Sequence, residues 1–537
     1  MKSVTLPLAL SGAVLAAAQY TVSSSATSND VFDGYMSYSI EFSSFPDFAG
    51  NKSQPNTFSD ALLKNIGNII GTKPYIRVGG NTQDYALYNA SLPYAINGTF
   101  DPKRSADYPT TIFIGPSYFE SYSTWKDVKF THGFNLALGA NSSVGWQTLL
   151  DTVPLACKAL GRGKLNWWEY GNEPDLFSTS AQGSVRPSGW NESIYVAQWL
   201  NGTKAIKAQL QTHCPRLVDN DTYGYLAPSF GGVNNRLKEP ATWAAGLNVN
   251  EDVRLISTHN YISGASSPGV TLQGTLMNHT VTRRSVDAHI ANHNKIKAID
   301  PSAPPLIFGE HNSLYNQGKP GLSNTFGAAL WGLDFNLYAA SVGIKRVHMH
   351  MGTNYRYASW QPLTTSLTPI GTRAPYYGNI AVAATLGNLL HRPSTVIEIP
   401  LNTTTTAAAY AIYTAQGSTL TRLLVLNMNS YNTTVDGHGL DPLPAADIPV
   451  RPVANYTFII PSEVASAGDL VGVRRLWANG SDAVTGITWD GWSYNYELDK
   501  GRPVRLGNVT VGERVVVGDG GVVSVGVPDA SAVLLSF

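Results

Sequence analysis

Between Gly34 and Leu390 short apolar runs alternate with stretches of helical periodicity through eight cycles, a rhythm that a closed barrel of parallel strands accommodates and few other folds do. The predicted strands are Gly34–Phe42, Pro74–Gly80, Phe134–Gly139, the run opening at Leu165, Tyr223–Phe230, Val253–Tyr261, Leu306–Phe308 and Arg346–Met351. Apolar residues at helical spacing predict helices over Phe58–Ile70, Val144–Leu160, Asn191–Leu210, Thr280–Ile299, Phe326–Val342 and Tyr376–Leu390. The stretch from Ala86 to Lys129 is poorly periodic and reads as an elaborated loop over the barrel mouth.

From Arg392 onward the pattern changes to short Val-, Thr- and Leu-rich runs separated by Gly, Asn and Asp, the pattern of an antiparallel sandwich. The expected fold is therefore α/β: a (β/α)8 TIM barrel over 27–391 and a β-sandwich over 392–537, joined by an N-terminal strand within 19–26. Residues 1–18 read as a secretory signal, with Met1-Lys2, an apolar run from Val4 and small residues at Ala16-Ala17-Ala18. No later stretch has the roughly 20 unbroken apolar residues a membrane span requires, so an exported protein without a membrane partner is expected.

Only 14% of residues are charged, with 37 Lys and Arg balancing 37 Asp and Glu. Basic runs of the kind that grip nucleic acid are absent from the sequence, which argues against such a partner. About a dozen Asn-x-Ser/Thr sequons, among them Asn51, Asn89, Asn97, Asn191, Asn278 and Asn455, predict N-linked glycans. Cys157 and Cys214 each lie towards the end of a predicted helix, and pair as one bridge or remain two buried thiols. The four-ligand Cys/His spacing of a structural zinc site is missing, and neither metal nor organic cofactor is implied.

Two of the predicted strands end in a carboxylate. Leu165 to Asp175, LNWWEYGNEPD, breaks at Gly171-Asn172-Glu173-Pro174; Pro305 to Asn312, PLIFGEHN, breaks at Gly309-Glu310. Their spacing, 310 − 173 = 137 residues, is about three βα units, which assigns them to strands four and seven. Two carboxylates at the carboxyl ends of such strands are the minimal equipment for breaking a glycosidic bond.

The Asn172-Glu173-Pro174 motif with the later Gly309-Glu310 resembles the catalytic pattern of glycoside hydrolase clan A. Within that clan Glu310-His311-Asn312-Ser313-Leu314-Tyr315 resembles family 79, the β-glucuronidase and heparanase family. The resemblance implies a retaining double displacement with Glu173 as acid/base and Glu310 as nucleophile, acting on terminal glucuronic acid of an oligo- or polysaccharide. It also implies that the loop after Glu310 grips the uronate carboxylate through Tyr315 and a backbone donor at Gln317 or Gly318. Asn172 and Asn81 are candidates for sugar hydroxyls, as is Glu41, for which a structural ion pair is the competing use. His259 and Tyr261 are candidates for orienting Glu310 or touching the sugar. Arg77 is equally plausible as a pocket charge and as a structural ion-pair partner. The neutral charge balance favours exo action over heparanase-like endo action; an inactive carbohydrate-binding barrel and another clan activity are the remaining readings.

Overall fold

The computed structural model describes residues 18–180, 183–219, 221–401, 405–414 and 416–537. The expected secretory signal, apart from Ala18, lies outside the described residues. Eight parallel strands close into a barrel in sequence order: β1 (Met36–Glu41), β2 (Ile76–Gly79), β3 (Phe130–Phe134), β4 (Leu165–Tyr170), β5 (Tyr225–Phe230), β6 (Val253–Gly264), β7 (Leu306–Tyr315) and β8 (Val347–Met351). Closure is made by β8 on β1, with Val347 opposite Met36 and Met351 opposite Ile40. Leu226, Leu255 and Ile307, packed against Phe32 and Trp167, form a separate apolar cluster on β4 to β7. Above it the interior is polar, and that change of character along the barrel axis prepares the site.

The outer helices are α1 (Thr57–Ile70), α2 (Ser143–Leu160), α3 (Glu192–His213), the short α4 (Glu239–Ala244), α5 (His279–Ile299), α6 (Phe326–Ser341) and α7 (Ala374–Leu386). Local chemistry fixes their ends. Asn56 caps α1 by accepting the Ser59 N–H, and Gly71 closes it in the left-handed conformation at φ 96°. Cys157 on α2 and Cys214 just past α3 are joined as a disulfide, which resolves the two alternatives open for them.

Unit two departs from the expected alternation. Among the described residues no α-helix joins β2 to β3; the connection holds a three-stranded sheet (Ala86–Tyr88, Ile96–Thr99, Thr111–Ile114) and a 3-10 helix, Pro116–Ser123. The third strand is Phe130–Phe134, not Phe134–Gly139. Asn135 ends it, because its side chain accepts the N–H groups of Leu138 and Gly139 and folds the apolar Leu136-Ala137-Leu138 run into a turn.

The C-terminal part contains a nine-stranded sheet whose centre runs β9 (Thr395–Ile399), β10 (Ala407–Thr414), β11 (Thr419–Asn427), then Ser531–Ser536 and Leu470–Trp477, all antiparallel. Its strand β10 reads AAAYAIYT with every residue buried, because both faces are covered. Ala408, Tyr410 and Ile412 join the barrel core; Ala407, Ala409, Ala411 and Tyr413 join a second core under a three-stranded sheet. That smaller sheet pairs Val453–Ile459 with Val522–Pro528, and Gln19–Thr21 adds to it in parallel, Tyr20 opposite Phe458. Helices α6 and α7 lie against the barrel and close to this C-terminal part, and nearly all of their residues are buried, as their all-round apolar sequences require.

Candidate active site

The carboxyl ends of the strands open into a cavity of about 1280 Å³ lined by both Glu173 and Glu310. Each reaches it by a local departure from regular strand geometry. On β7, Phe308 pairs with Thr258 and Glu310 with His259, so Gly309 is an extra residue in the ladder. Simple alternation would turn Glu310 to the side of Phe308, which packs on Phe335 of α6; the bulge re-aims it into the cavity. A side chain at Gly309 would set its Cβ 2.1 Å from Ser257 Oγ, so the bulge requires glycine. Glu173 follows β4 in the left-handed conformation, φ 50° and ψ 49°, and its N–H donates to Ser229 O at 2.9 Å.

Beneath the carboxylates lies Arg77 of β2, fully buried. Its Nε donates to both oxygens of Glu169, its Nη1 to Ser39 Oγ and to Glu310 Oε2 at 2.7 Å, and its Nη2 to Asn172 Oδ1 at 2.8 Å. One guanidinium therefore sets the height of β1, β4 and β7 side chains at once. Glu169 is further held by Ser229 Oγ. Asn172 donates through Nδ2 to Asn81 Oδ1, and its N–H donates to Asp84 Oδ2, so both amides stand at the cavity with their orientations fixed.

Glu310 has three more neighbours. Tyr261 donates its phenol to Oε1 at 2.7 Å; His350 Nδ1 stands 3.4 Å and His259 Nδ1 4.0 Å from Oε2. Burial opposes ionisation of Glu310, but His350, His259, Arg77 and the Tyr261 hydrogen bond overcome it and hold the carboxyl down at about 2. Burial takes His259 itself down to about 4, so at neutral pH Arg77 supplies the permanent charge. Glu173 has the opposite balance: burial, with the Glu310 charge added, pushes it up to about 8 against the pull of Arg77. Its Oε1 is 3.1 Å from His259 Nδ1. Two carboxyls with separated ionisation share one cavity, one a proton donor and the other an anion at neutral pH.

Glu173, His259 and Glu310 bring one ligand atom each within 4.8 Å of one another. A cation there would compete with the Arg77 guanidinium already set against Glu310, and the proton that Glu173 carries would have to leave.

The remaining candidates divide. Glu41 is buried and lines the cavity, accepting from Thr82 N and Oγ1 through Oε1 and from Tyr355 OH through Oε2. Tyr315 is half-exposed on the rim, its hydroxyl 3.3 Å from Ser267 Oγ, and any Cβ at Gly264 would strike its ring. Gln317 lines the cavity at φ 59° beside Asn316 at φ 64°. Gly318 does not: its N–H is spent on Leu314 O inside the loop, which leaves Gln317 and its neighbour as the backbone candidates. Sequence reading passed over Asn316, His350, Tyr357 and the Asp107–Arg356 pair, bidentate at 2.6 and 2.9 Å. Period-two alternation along Val347–Met351 was the signal available for His350.

Residues 409–534 match the model of the glycosyl hydrolase family 79 C-terminal beta domain. The chain is similar to a β-glucuronidase of Neurospora crassa, 64% identical with 98% of this chain and 97% of that one covered. It is also similar to a β-glucuronidase of Aspergillus niger, 53% identical over 94% and 91%. Among solved structures, a 4-O-α-L-rhamnosyl-β-D-glucuronidase from Fusarium oxysporum superposes with a TM-score of 0.72 at 24% identity, covering 97% of this chain and 100% of that one. A family 51 α-L-arabinofuranosidase from Bifidobacterium longum gives 0.60 at 11%, covering 97% and 99%. Identity of this order over nearly the full length shows that the chain belongs to glycosyl hydrolase family 79.

Proposed function

We propose that the chain is a secreted, exo-acting β-glucuronidase that removes terminal β-linked glucuronic acid, or its 4-O-methyl form, from glycan or proteoglycan side chains with retention. The observation that carries this reading is the pair of carboxyls, Glu173 and Glu310, facing one cavity with oxygens within 4.8 Å of each other, in a chain whose relatives at 64% and 53% identity are β-glucuronidases.

In the first step Glu310 attacks the anomeric carbon while the bond to the leaving oxygen breaks and Glu173 gives that oxygen its proton, forming a glycosyl ester on Glu310. In the second, Glu173 as carboxylate takes a proton from water, the water oxygen bonds to the same carbon, and the ester breaks to return both groups to their starting states. Oxygens of the two carboxyls within 4.8 Å support a retaining pair, for which roughly 5 to 5.5 Å is usual, over an inverting pair at about 6.5 to 9.5 Å. Tyr315, Asn316 and Gln317 line the cavity, and a phenol and backbone N–H groups are donors suited to a uronate carboxylate. The Arg356–Asp107 pair ties the loop after β8 to the insertion between β2 and β3, and Arg356 Nε also donates to Gly318 O; this wall supports action on chain ends.

Secretion is supported by the apolar N-terminal run and by the Cys157–Cys214 disulfide, which needs an oxidising compartment. Exposure of Asn51, Asn89, Asn97, Asn191 and Asn455 supports N-linked glycans at those sequons; Asn278 is partly covered and caps α5.

The test is turnover of p-nitrophenyl β-glucuronide beside the β-glucoside and β-xyloside, with the anomer first released followed by NMR. Glucuronide turnover giving the β-anomer first, and lost in Glu310→Ala, is the expected result. Preference for the xyloside, or release of the α-anomer, would overturn the reading.

A further inference from the structure

Two stretches of backbone meet at Glu173. Glu173 and Ser229 both take the left-handed conformation, φ 50° and 54°, which residues other than glycine hold only where their surroundings impose it. The Glu173 N–H donates to Ser229 O at 2.9 Å, and two residues further along each stretch the lacing is repeated, the Gly231 N–H donating to Asp175 Oδ1 at 2.9 Å. Asn235 Nδ2 donates to the other oxygen, Asp175 Oδ2, at 2.9 Å. Asp175 lies fully buried in the 3-10 turn Pro174–Leu176, which Trp190 anchors separately by donating Nε1 to Pro174 O at 2.7 Å. A carboxylate accepts from both loop donors at once, which offsets the burial and the nearby Glu173 that push the Asp175 carboxyl well above its ordinary range. What the lacing holds is the residue that covers Glu173. A Cβ built on Gly231 would lie 2.9 Å from Glu173 Cδ and 3.0 Å from Oε1, so the glycine backbone itself packs on the carboxyl. With His259 Nδ1 3.1 Å from Oε1, only 13% of the Glu173 side chain stays exposed. A looser loop would admit water, which solvates the Glu173 anion and favours loss of its proton.

We propose that Asp175 is a positioning residue for the proton donor: by clamping the 231–235 loop it holds Gly231 over Glu173 and shields that carboxyl from water. The assignment rests on the acid/base role given to Glu173 under the proposed function. The other groups that act on Glu173 are Glu310 of β7, Arg77 of β2, His350 of β8, Glu41 of β1 and His259 of β6, while Asp175 acts on the Tyr195 phenol of α3. Substitutions at Asp175 and Asn235 leave all of these in place, so a change in the ionisation of Glu173 reads the clamp.

The test compares full-length wild type with Asn235→Ala, Asp175→Ala and Asp175→Asn. Asparagine keeps an acceptor for the Gly231 N–H and, with the Asn235 amide turned over, a partner for Asn235, so it restores the clamp without the acid. On p-nitrophenyl β-glucuronide the alkaline limb of kcat/KM should move down by roughly half a pH unit in Asn235→Ala and about one in Asp175→Ala, and return most of the way in Asp175→Asn. The infrared carboxyl band that Glu173→Gln removes, titrated without substrate, should move by the same amounts. A limb and band that stay in place while the melting temperature falls would make Asp175 structural only and overturn the proposal, as would Asp175→Asn behaving no better than Asp175→Ala. Should Asp175→Ala not fold, a limb and band unmoved in Asn235→Ala overturn it equally. Wild-type enzyme inert on the glucuronide would sink the β-glucuronidase reading, and the infrared titration would still decide the clamp.

Discussion

Arg77 Nη1 donates to Glu310 Oε2 at 2.7 Å from inside the barrel, while its Nε holds Glu169. The same cation keeps Glu310 ionised and neutralises the buried carboxylate of Glu169. Replacing it with Met leaves both acids uncompensated. Breaking one buried pair costs about 3–5 kcal/mol, so Arg77→Met should melt well below the parent. Arg77→Lys retains a charge but not the fork, and is expected to fold. Its kcat should fall at least tenfold, and the acidic limb of its pH profile should move to higher pH, since Glu310 loses part of what holds it low. A lysine variant with an unmoved acidic limb would show that Arg77 serves packing alone.

Glu173 and Glu310 set opposite limbs of the pH dependence. Glu310 must be ionised and is so above about 2; Glu173 must be protonated and is so below about 8. Activity on p-nitrophenyl β-glucuronide should therefore hold from mildly acidic to neutral pH and decline through pH 8. In Glu173→Gln the alkaline decline should vanish, because no proton remains to be lost. Oligosaccharide hydrolysis should drop about 10²–10⁴-fold, and the aryl glucuronide less, since p-nitrophenolate departs with little help. Added azide should then yield glucuronosyl azide in place of the missing base step.

His279 of α5 lies between Asp334 of α6, 2.9 Å from Nδ1, and Glu398 of β9, 2.8 Å from Nε2, so it bridges the barrel helices to the nine-stranded sheet. Burial would lower its pKa, but Asp334 and Glu398 together raise it to about 10. A pKa raised on folding contributes stability that is whole below the unfolded value near 6.5 and is lost as pH climbs through 10. His279→Gln should therefore melt lower than wild type at pH 6, with the gap closing by pH 10. Thermal melts across that range check it; a gap that widens with pH would contradict the assignment.

The architecture was legible because a barrel imposes a repeating period, and the two catalytic candidates stood where two such periods end. What escaped was set by tertiary contacts that no spacing records. The apolar run Phe134–Gly139 suggests strand three, yet the strand is Phe130–Phe134, whose polar Thr131 and His132 are both buried against protein. The Gly318 N–H, a candidate donor by sequence, is committed to Leu314 O. The Gly309 bulge reverses the facing that strict alternation assigns to Glu310. Asn316 and the Asp107–Arg356 pair lie in loops, where function is placed by contacts made far away in sequence.

Cys157 and Cys214 tie the ends of α2 and α3 across a separation of 57 residues. Chain entropy for a loop of that length corresponds to about 4 kcal/mol, so Cys157→Ala with Cys214→Ala should lower the denaturation midpoint while leaving KM nearly unchanged. Both cysteines lie outside the residues lining the cavity. Guanidinium titration with and without reductant checks this, and a reductant-insensitive wild type would argue that the bridge adds little.

Tyr315 stands on the cavity rim, where under the proposed function its phenol donates to the carboxylate at C6 of the sugar, and Gly264 leaves the space its ring occupies. A hydrogen bond to a charged group contributes about 1.5–3 kcal/mol, which is roughly 10- to 150-fold in a rate ratio. Tyr315→Phe should lose that factor in kcat/KM on p-nitrophenyl β-glucuronide and far less on the β-glucoside, whose C6 hydroxyl gains little from the phenol. Gly264→Ala should do the same by pushing the ring aside, although it removes no polar atom, and the two effects should not add, since both act through one contact. The wild type, the two single variants and the double variant, each on both substrates, suffice. If the glucoside falls in step with the glucuronide, Tyr315 shapes the pocket without reading the uronate, and the carboxylate is held by other groups lining the cavity.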